Sequence, residues 1–175
     1  MADVSVRPAR PHDAELVARV QQSTWRTAYA ELLPAEALDT PLEQLAAVWL
    51  NAVEAPPTPR HLVLVAFEQH ELVGFATLAP ADDDDLEGSV TAELTALLVE
   101  PRWGRRGHAS RLLAAAVDGW QTGGTTLAVA WVWERDQASR GFFAGAGWEP
   151  DGLARGLDTG PRVERQLRLH VDVTP

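Results

Sequence analysis

Between Val90 and Trp133 the chain passes through strand, turn, helix and strand, and this passage restricts the available folds most. Val90 to Val99 is a mostly apolar run of strand length. Pro101 to Gly107 is a turn rich in Arg and Gly. Leu112, Leu113, Ala116, Val117 and Trp120 then recur at helical spacing, Gly123 and Gly124 stop the helix, and Thr125 to Trp133 is a second apolar run. A helix between two such strands returns the chain to its starting end, so the strands pair in parallel.

The flanking segments read as antiparallel structure and helices. Val4 to Arg7 is a short strand broken by Pro8 and Pro11, and a helix starts at His12 with Asp13 and Glu15 near its positive end and Leu16, Val17 and Val20 as its buried stripe. Thr40-Pro41-Leu42-Glu43 has the form of a capping box. Leu42, Leu45, Ala46, Trp49, Leu50 and Val53 follow on one helical face until the Ala55 to Pro59 stretch ends it. His61–Phe67 and Leu72–Leu78 form a hairpin pattern. Ala138, Phe142, Phe143 and Ala146 share a helix face closed by Gly147. In the last segment Val163, Leu167, Leu169 and Val171 alternate with Glu164, Gln166, Arg168 and His170, a strand with its polar side toward water. The expected fold class is α/β: a mixed, mostly antiparallel central sheet with one parallel strand pair and helices on both faces. One domain spans residues 1–175, with no repeat and no linker.

Composition narrows the function. Fifteen cations against twenty-five carboxylates give a net charge of −10, which disfavours a nucleic-acid partner. Without Cys there is no disulfide framework, thiolate metal site or cysteine nucleophile, and no His/Asp/Glu cluster has metal spacing, so no metal is expected. Lys is absent too, which removes a Walker lysine and Schiff-base chemistry. The first residues lack a signal-peptide pattern and no run approaches the ~20 apolar residues of a membrane span, so the expectation is a soluble, cytoplasmic protein with no membrane partner.

The turn holds the richest local chemistry. A helix start has N–H groups without internal partners and a partial positive charge, Gly107 and Ala109 allow close approach, and Arg105 and Arg106 add full charge. Such a mouth suits a pyrophosphate. On local chemistry alone, a plain turn with two solvated arginines fits equally well.

The stretch from Glu93 to Leu113, followed by Phe142-Phe143-Ala144-Gly145-Ala146-Gly147-Trp148, resembles the GCN5-related N-acetyltransferases (GNAT). Their acetyl-CoA motif, Gln/Arg-x-x-Gly-x-Gly/Ala, aligns with Gly104-Arg105-Arg106-Gly107-His108-Ala109. The Arg-Pro-Ala opening, the Trp25/Tyr29 helix, the Val73-Gly74-Phe75-Ala76 strand and the closing strands follow the family's order. The resemblance implies acetyl-CoA as co-substrate. Backbone groups of Leu98 and Val99 would pair with its pantetheine, the N–H groups of Arg105, Arg106, Gly107, His108, Ala109 and Ser110 would hold its pyrophosphate, and Phe143 would flank the thioester. Two positions depart from the pattern: Gly104 stands where Gln or Arg is usual, and Phe143 where many members place a Tyr that protonates the leaving thiolate.

Transfer to an amine requires the neutral amine, so a base contributes about 10²–10⁴ in rate. Glu93, a carboxylate among mostly apolar strand residues, is the candidate, with a structural, Arg-paired carboxylate as the other reading. Trp25 and Tyr29, four apart, either line the acceptor pocket or pack in the core. Tyr29, the only Tyr, is the one phenol available as an acid. His108 either touches phosphate or ribose or faces solvent. Asp82 to Asp85 either attract a cationic acceptor or form a solvated loop.

The expected function is N-acetyl transfer from acetyl-CoA to a primary amine of a small molecule by direct attack. A non-catalytic acyl-CoA-binding module and a protein N-acetyltransferase are the alternatives, and a homodimer is compatible with the alternating last strand.

Overall fold

The structure is a computed structural model that describes residues 4–160 and 162–175. Its elements are β1 (Val4–Pro8), α1 (Ala14–Ala28), α2 (Ala35–Leu38), α3 (Leu42–Glu54), β2 (Leu62–Glu68), β3 (Glu71–Pro80), β4 (Thr91–Val99), α4 (His108–Thr122), β5 (Leu127–Trp133), α5 (Gln137–Gly145), β6 (Glu149–Asp158) and β7 (Val163–Asp172). The strands are ordered β1-β2-β3-β4-β5-β7-β6, and β4–β5 is the parallel pair. This is the mixed, mostly antiparallel fold class expected. The short α2 carries no apolar periodicity and was not anticipated. Among the described residues no helix is long and apolar enough to cross a membrane, and no group of three or more His, Asp or Glu could hold a metal ion.

The chain resolves into two compact units. The first takes the chain up to Ala79 together with Ala96–Asp118, and the second takes Pro80–Thr95 with Gly119–Pro175. In the first, β1, β2 and β3 form antiparallel ladders, with a bulge at Ala66/Phe67. Val17, Val20, Val65, Leu72, Phe75 and Leu98 make its core cluster. Trp49 meets the edge of Phe75 at 5.0 Å and donates from Nε1 to Gln21 Oε1 at 2.6 Å. Asp13, 1% exposed, joins β1 to α1 by accepting from Arg7 at 2.7 and 3.0 Å and from the Arg10 N–H at 2.7 Å.

Two local expectations for this unit fail. Leu16 is 40% exposed. Val17 and Val20 are buried as expected, but the face they belong to is completed by Ala14, Ala18, Gln21 and Thr24 rather than by Leu16. The capping box at Thr40 does not form: Pro41 is the N-cap with no side-chain bond, and Thr40 Oγ1 donates to Glu36 O at 3.0 Å because α2 supplies that carbonyl.

In the second unit β5 pairs in parallel with β4 over Thr91↔Leu127, Ala92↔Ala128 and Glu93↔Val129, and antiparallel with β7 along its whole length. Here β7 contradicts the reading of its polar side as solvated. Glu164, Gln166 and Arg168 are all buried, while Val163 is 66% exposed. Charge pairing explains this. Glu164 meets Arg135 and Arg162, and Gln166 accepts from Arg155 Nε at 2.9 Å. Arg168 is enclosed by Asp85, Asp151 and Asp83 at 2.5, 2.5 and 3.4 Å, the Asp85 pairing being bidentate. The Asp82–Asp85 run is therefore only partly a solvated loop: Asp83 also accepts from Trp131 Nε1 at 3.3 Å.

Candidate active site

The turn after β4 begins with the Glu100 N–H bonded to Val73 O at 2.9 Å, followed by a single 3-10 turn over Pro101–Trp103. Arg105 and Gly107 are both left-handed, at φ 60° and 81°. Only glycine takes that conformation without cost, which accounts for Gly107, whereas Arg105 bears the strain. The first bond into α4 runs from Arg111 N to Gly107 O at 3.1 Å, so the N–H groups of His108, Ala109 and Ser110 have no acceptor within the helix.

Side chains brace this turn from behind. Glu68, ending β2, accepts from Arg106 Nη1 at 3.0 Å and meets His108 Nε2 at 2.8 Å. Arg106 also stacks 4.8 Å over the Trp103 ring, and Arg111 Nη1 donates to Arg106 O at 2.9 Å. The His108 ring is buried, which overturns its reading as solvent-facing and turns the imidazole away from the role of an exposed phosphate ligand. Its Nδ1 and the neighbouring Trp103 Nε1 are buried without hydrogen-bond partners. With Arg106 committed, Arg105 is the exposed guanidinium at the turn that meets no described side-chain partner.

Leu98 and Val99 lead into the turn. They lie against Gly74 of β3 so closely that a Cβ built there would sit 2.7 Å from Leu98 O and 2.9 Å from Val99 Cγ2. Trp25 and Tyr29, half-buried, pack against the Val17–Phe75–Leu98 core cluster. This packing accounts for their apolar surface.

In the second unit Glu93 is half-buried at the last pair of the parallel ladder. Burial raises its pKa above the ordinary carboxylate value; Arg155 pulls it down, and the charges of Asp83 and Asp82 push it up. Arg155 lies 4.4 Å over the Trp131 ring. Phe143 is 4% exposed in α5, with Trp148 and Phe142 ring centroids at 5.1 and 5.4 Å. Asp136 caps that helix by accepting from the Ser139 N–H at 3.0 Å.

The structure thus collects Arg105, Arg106, Gly107, His108, Ala109 and Ser110 in one turn, with Leu98 and Val99 on the strand that enters it. Sequence reasoning missed Glu68 and the Arg168 clasp, and it named Gly74 only within a family-like strand, not for its close approach to β4. Glu68 lies 38 and 40 residues from its partners, and no local pattern marks it.

A family model described as acetyltransferase (GNAT) family matches residues 19–148. The chain belongs to that family. GNAT enzymes use acetyl-CoA as donor, and the turn has chemistry that suits its diphosphate: helix N–H groups with no acceptor inside the helix, a left-handed glycine and an Arg105 that meets no described side-chain partner. No curated protein matches the sequence. Among solved structures, a PaiA N-acetyltransferase from Thermoplasma acidophilum in complex with coenzyme A superposes with a TM-score of 0.78 at 18% identity, covering 97% of this chain and 99% of that one. A ribosomal-protein-alanine N-acetyltransferase from Brucella melitensis gives 0.77 at 20% identity, with 96% and 99% covered. YncA from Salmonella typhimurium, a putative acetyltransferase with its cofactor acetyl-CoA, gives 0.75 at 17%, with 97% and 94% covered. At these identities the likeness is one of fold.

Proposed function

We propose that this GNAT member transfers an acetyl group from acetyl-CoA to a primary amine of a small molecule by direct attack. The N–H groups of Arg105 to Ser110, with the Arg105 guanidinium, hold the donor's pyrophosphate. Backbone groups of Leu98 and Val99 pair with pantetheine and polarise the thioester carbonyl. Phe143 flanks the thioester end, and Trp25 and Tyr29 border the acceptor. The amine lone pair attacks the carbonyl carbon, the C–N bond forms and the C–S bond breaks. The thiolate departs with the electron pair and takes a proton from water, while the proton lost by the amine passes to Glu93, directly or through water, and from there to solvent. Catalysis rests mainly on holding the amine beside the thioester. A cytoplasmic setting, no nucleic-acid or membrane partner and a possible homodimer belong to the same reading.

The observation that carries it is Glu93: a half-buried carboxylate with a raised pKa, on the strand that runs directly into the anion turn. A raised pKa brings a carboxylate closer to the range in which a base works near neutral pH.

Calorimetric titration with acetyl-CoA and CoA, with NAD as control, followed by a thiol-release assay on an amine panel, tests the proposal. The panel includes a peptide with an N-terminal alanine, because ribosomal-protein acetyltransferases stand among the structural neighbours. Binding with release on a small amine supports the reading, and release on the peptide alone moves the acceptor to protein. Binding with no release on any amine indicates a CoA-binding module, the outcome favoured by the absence of a phenol at Phe143. In the active enzyme Glu93→Gln should lower kcat/KM by about 10²–10⁴ and remove the acid limb of its pH profile. An unchanged profile excludes Glu93 as the base.

A further inference from the structure

We propose that Glu68 is a positioning residue for the turn that takes the donor's diphosphate, an inference that rests on the donor reading above. Its carboxylate reaches residues on either side of Gly107: Oε1 accepts from Arg106 Nη1 at 3.0 Å, and Oε2 meets His108 Nε2 at 2.8 Å. Gly107 is left-handed and directly precedes the first residue of α4. One carboxylate therefore ties down both ends of the step at which the chain turns into the helix and its free N–H groups are aimed.

The chemistry of His108 strengthens this reading. Its side chain is 1% exposed, and that of Glu68 only 15%. An ionised carboxylate only accepts, so the proton lies on Nε2, and the bond is a charge-assisted one away from bulk water. An apolar side chain at 108 would fill the same space without leaving Nδ1 buried and unbonded. What the imidazole adds is a directional link to β2, a strand held in register on both sides by β1 and β3. The same carboxylate draws Arg106 back over Trp103 and leaves Arg105 to meet the anion.

The test compares affinities for CoA, which carries the diphosphate, and pantetheine, which lacks it, in the wild type, Glu68→Ala and Glu68→Gln. The glutamine amide can still accept from Arg106 and donate to His108 in its other tautomer. Wild type should bind CoA more than tenfold tighter than pantetheine. Glu68→Ala should weaken CoA by about 10- to 100-fold while leaving pantetheine within about threefold, and Glu68→Gln should recover most of the loss. Equal weakening of both ligands means a general structural role and overturns the proposal, as does a Glu68→Ala protein that binds CoA normally. A wild type that does not distinguish CoA from pantetheine overturns the donor reading of the turn itself.

Discussion

Gly74→Ala should damage the protein through a contact that no charge or ligand mediates. The new methyl carbon would lie 2.7 Å from Leu98 O, 2.9 Å from Val99 Cγ2 and 3.2 Å from Val99 Cα. Two of these three atoms are backbone, so a rotamer change cannot relieve the clash. The end of β4 must retreat by about 0.7 Å to reach ordinary contact, and overpacking of this kind costs about 1–3 kcal/mol. For a chain of this size each kcal/mol lowers Tm by about 2–4 °C, so a fall of about 2–12 °C is expected. The strand that moves carries Leu98 and Val99, so CoA affinity should fall with it. Gly119→Ala is the matched control, because a Cβ there meets nothing within 4 Å and the site lies inside α4. The same substitution should there raise stability by about 0.5–1 kcal/mol. Thermal melts of both variants and CoA titration decide the matter. A Gly74→Ala protein that melts and binds CoA like wild type would refute the close-approach argument.

Two further predictions concern pH. Burial raises the Glu93 pKa above its unfolded value, so the stability linked to its proton is present at low pH and lost as pH rises through the folded pKa. Glu93→Gln should therefore gain on wild type in denaturant midpoint between pH 4 and pH 8, even as it loses activity; parallel curves would contradict this. Asp13 behaves oppositely: burial pushes its pKa up, but the Arg7 guanidinium and the Arg10 N–H outweigh this and lower it. Its contribution is present above the unfolded value and lost as pH falls through the folded one. Asp13→Ala should cost about 2–3 kcal/mol at pH 7, discounted for a partly exposed Arg7, and flatten the acid limb of stability. An unaltered acid limb would show that the pair is not coupled to folding.

The strand–turn–helix–strand passage was legible because its signals are local. Apolar runs, Gly stops and helical spacing each need only a short window, and the turn motif, despite Gly104, pointed to the family together with its flanking strand and helix and the segment at 142–148. Features held by distant partners were not legible. Alternation in β7 separates two faces but does not say that both are covered. Glu164, Gln166 and Arg168 are buried because Arg135, Arg155 and three aspartates reach them, Asp85 from 83 residues away. Thr40 has the residues of a capping box, yet a neighbouring carbonyl in α2 takes its hydroxyl. His108 looks like a surface residue until Glu68, on another strand, supplies a reason to bury it.

The Arg168 clasp also governs which groups can register a change of acidity. Asp85 is held below the ordinary carboxylate range by its bond to Arg168, and Arg168 is held above its ordinary value by Asp85 and Asp151. Both ends stay charged from weak acid to alkali, so the loop carrying Asp82 and Asp83 keeps its place across that span. Asp82 and Asp83, whose charges raise the Glu93 pKa, ride on that loop, and Asp83 itself meets Arg168. Under the proposed role of Glu93, the acid limb of the rate then reports the proton at that carboxylate rather than release of the loop.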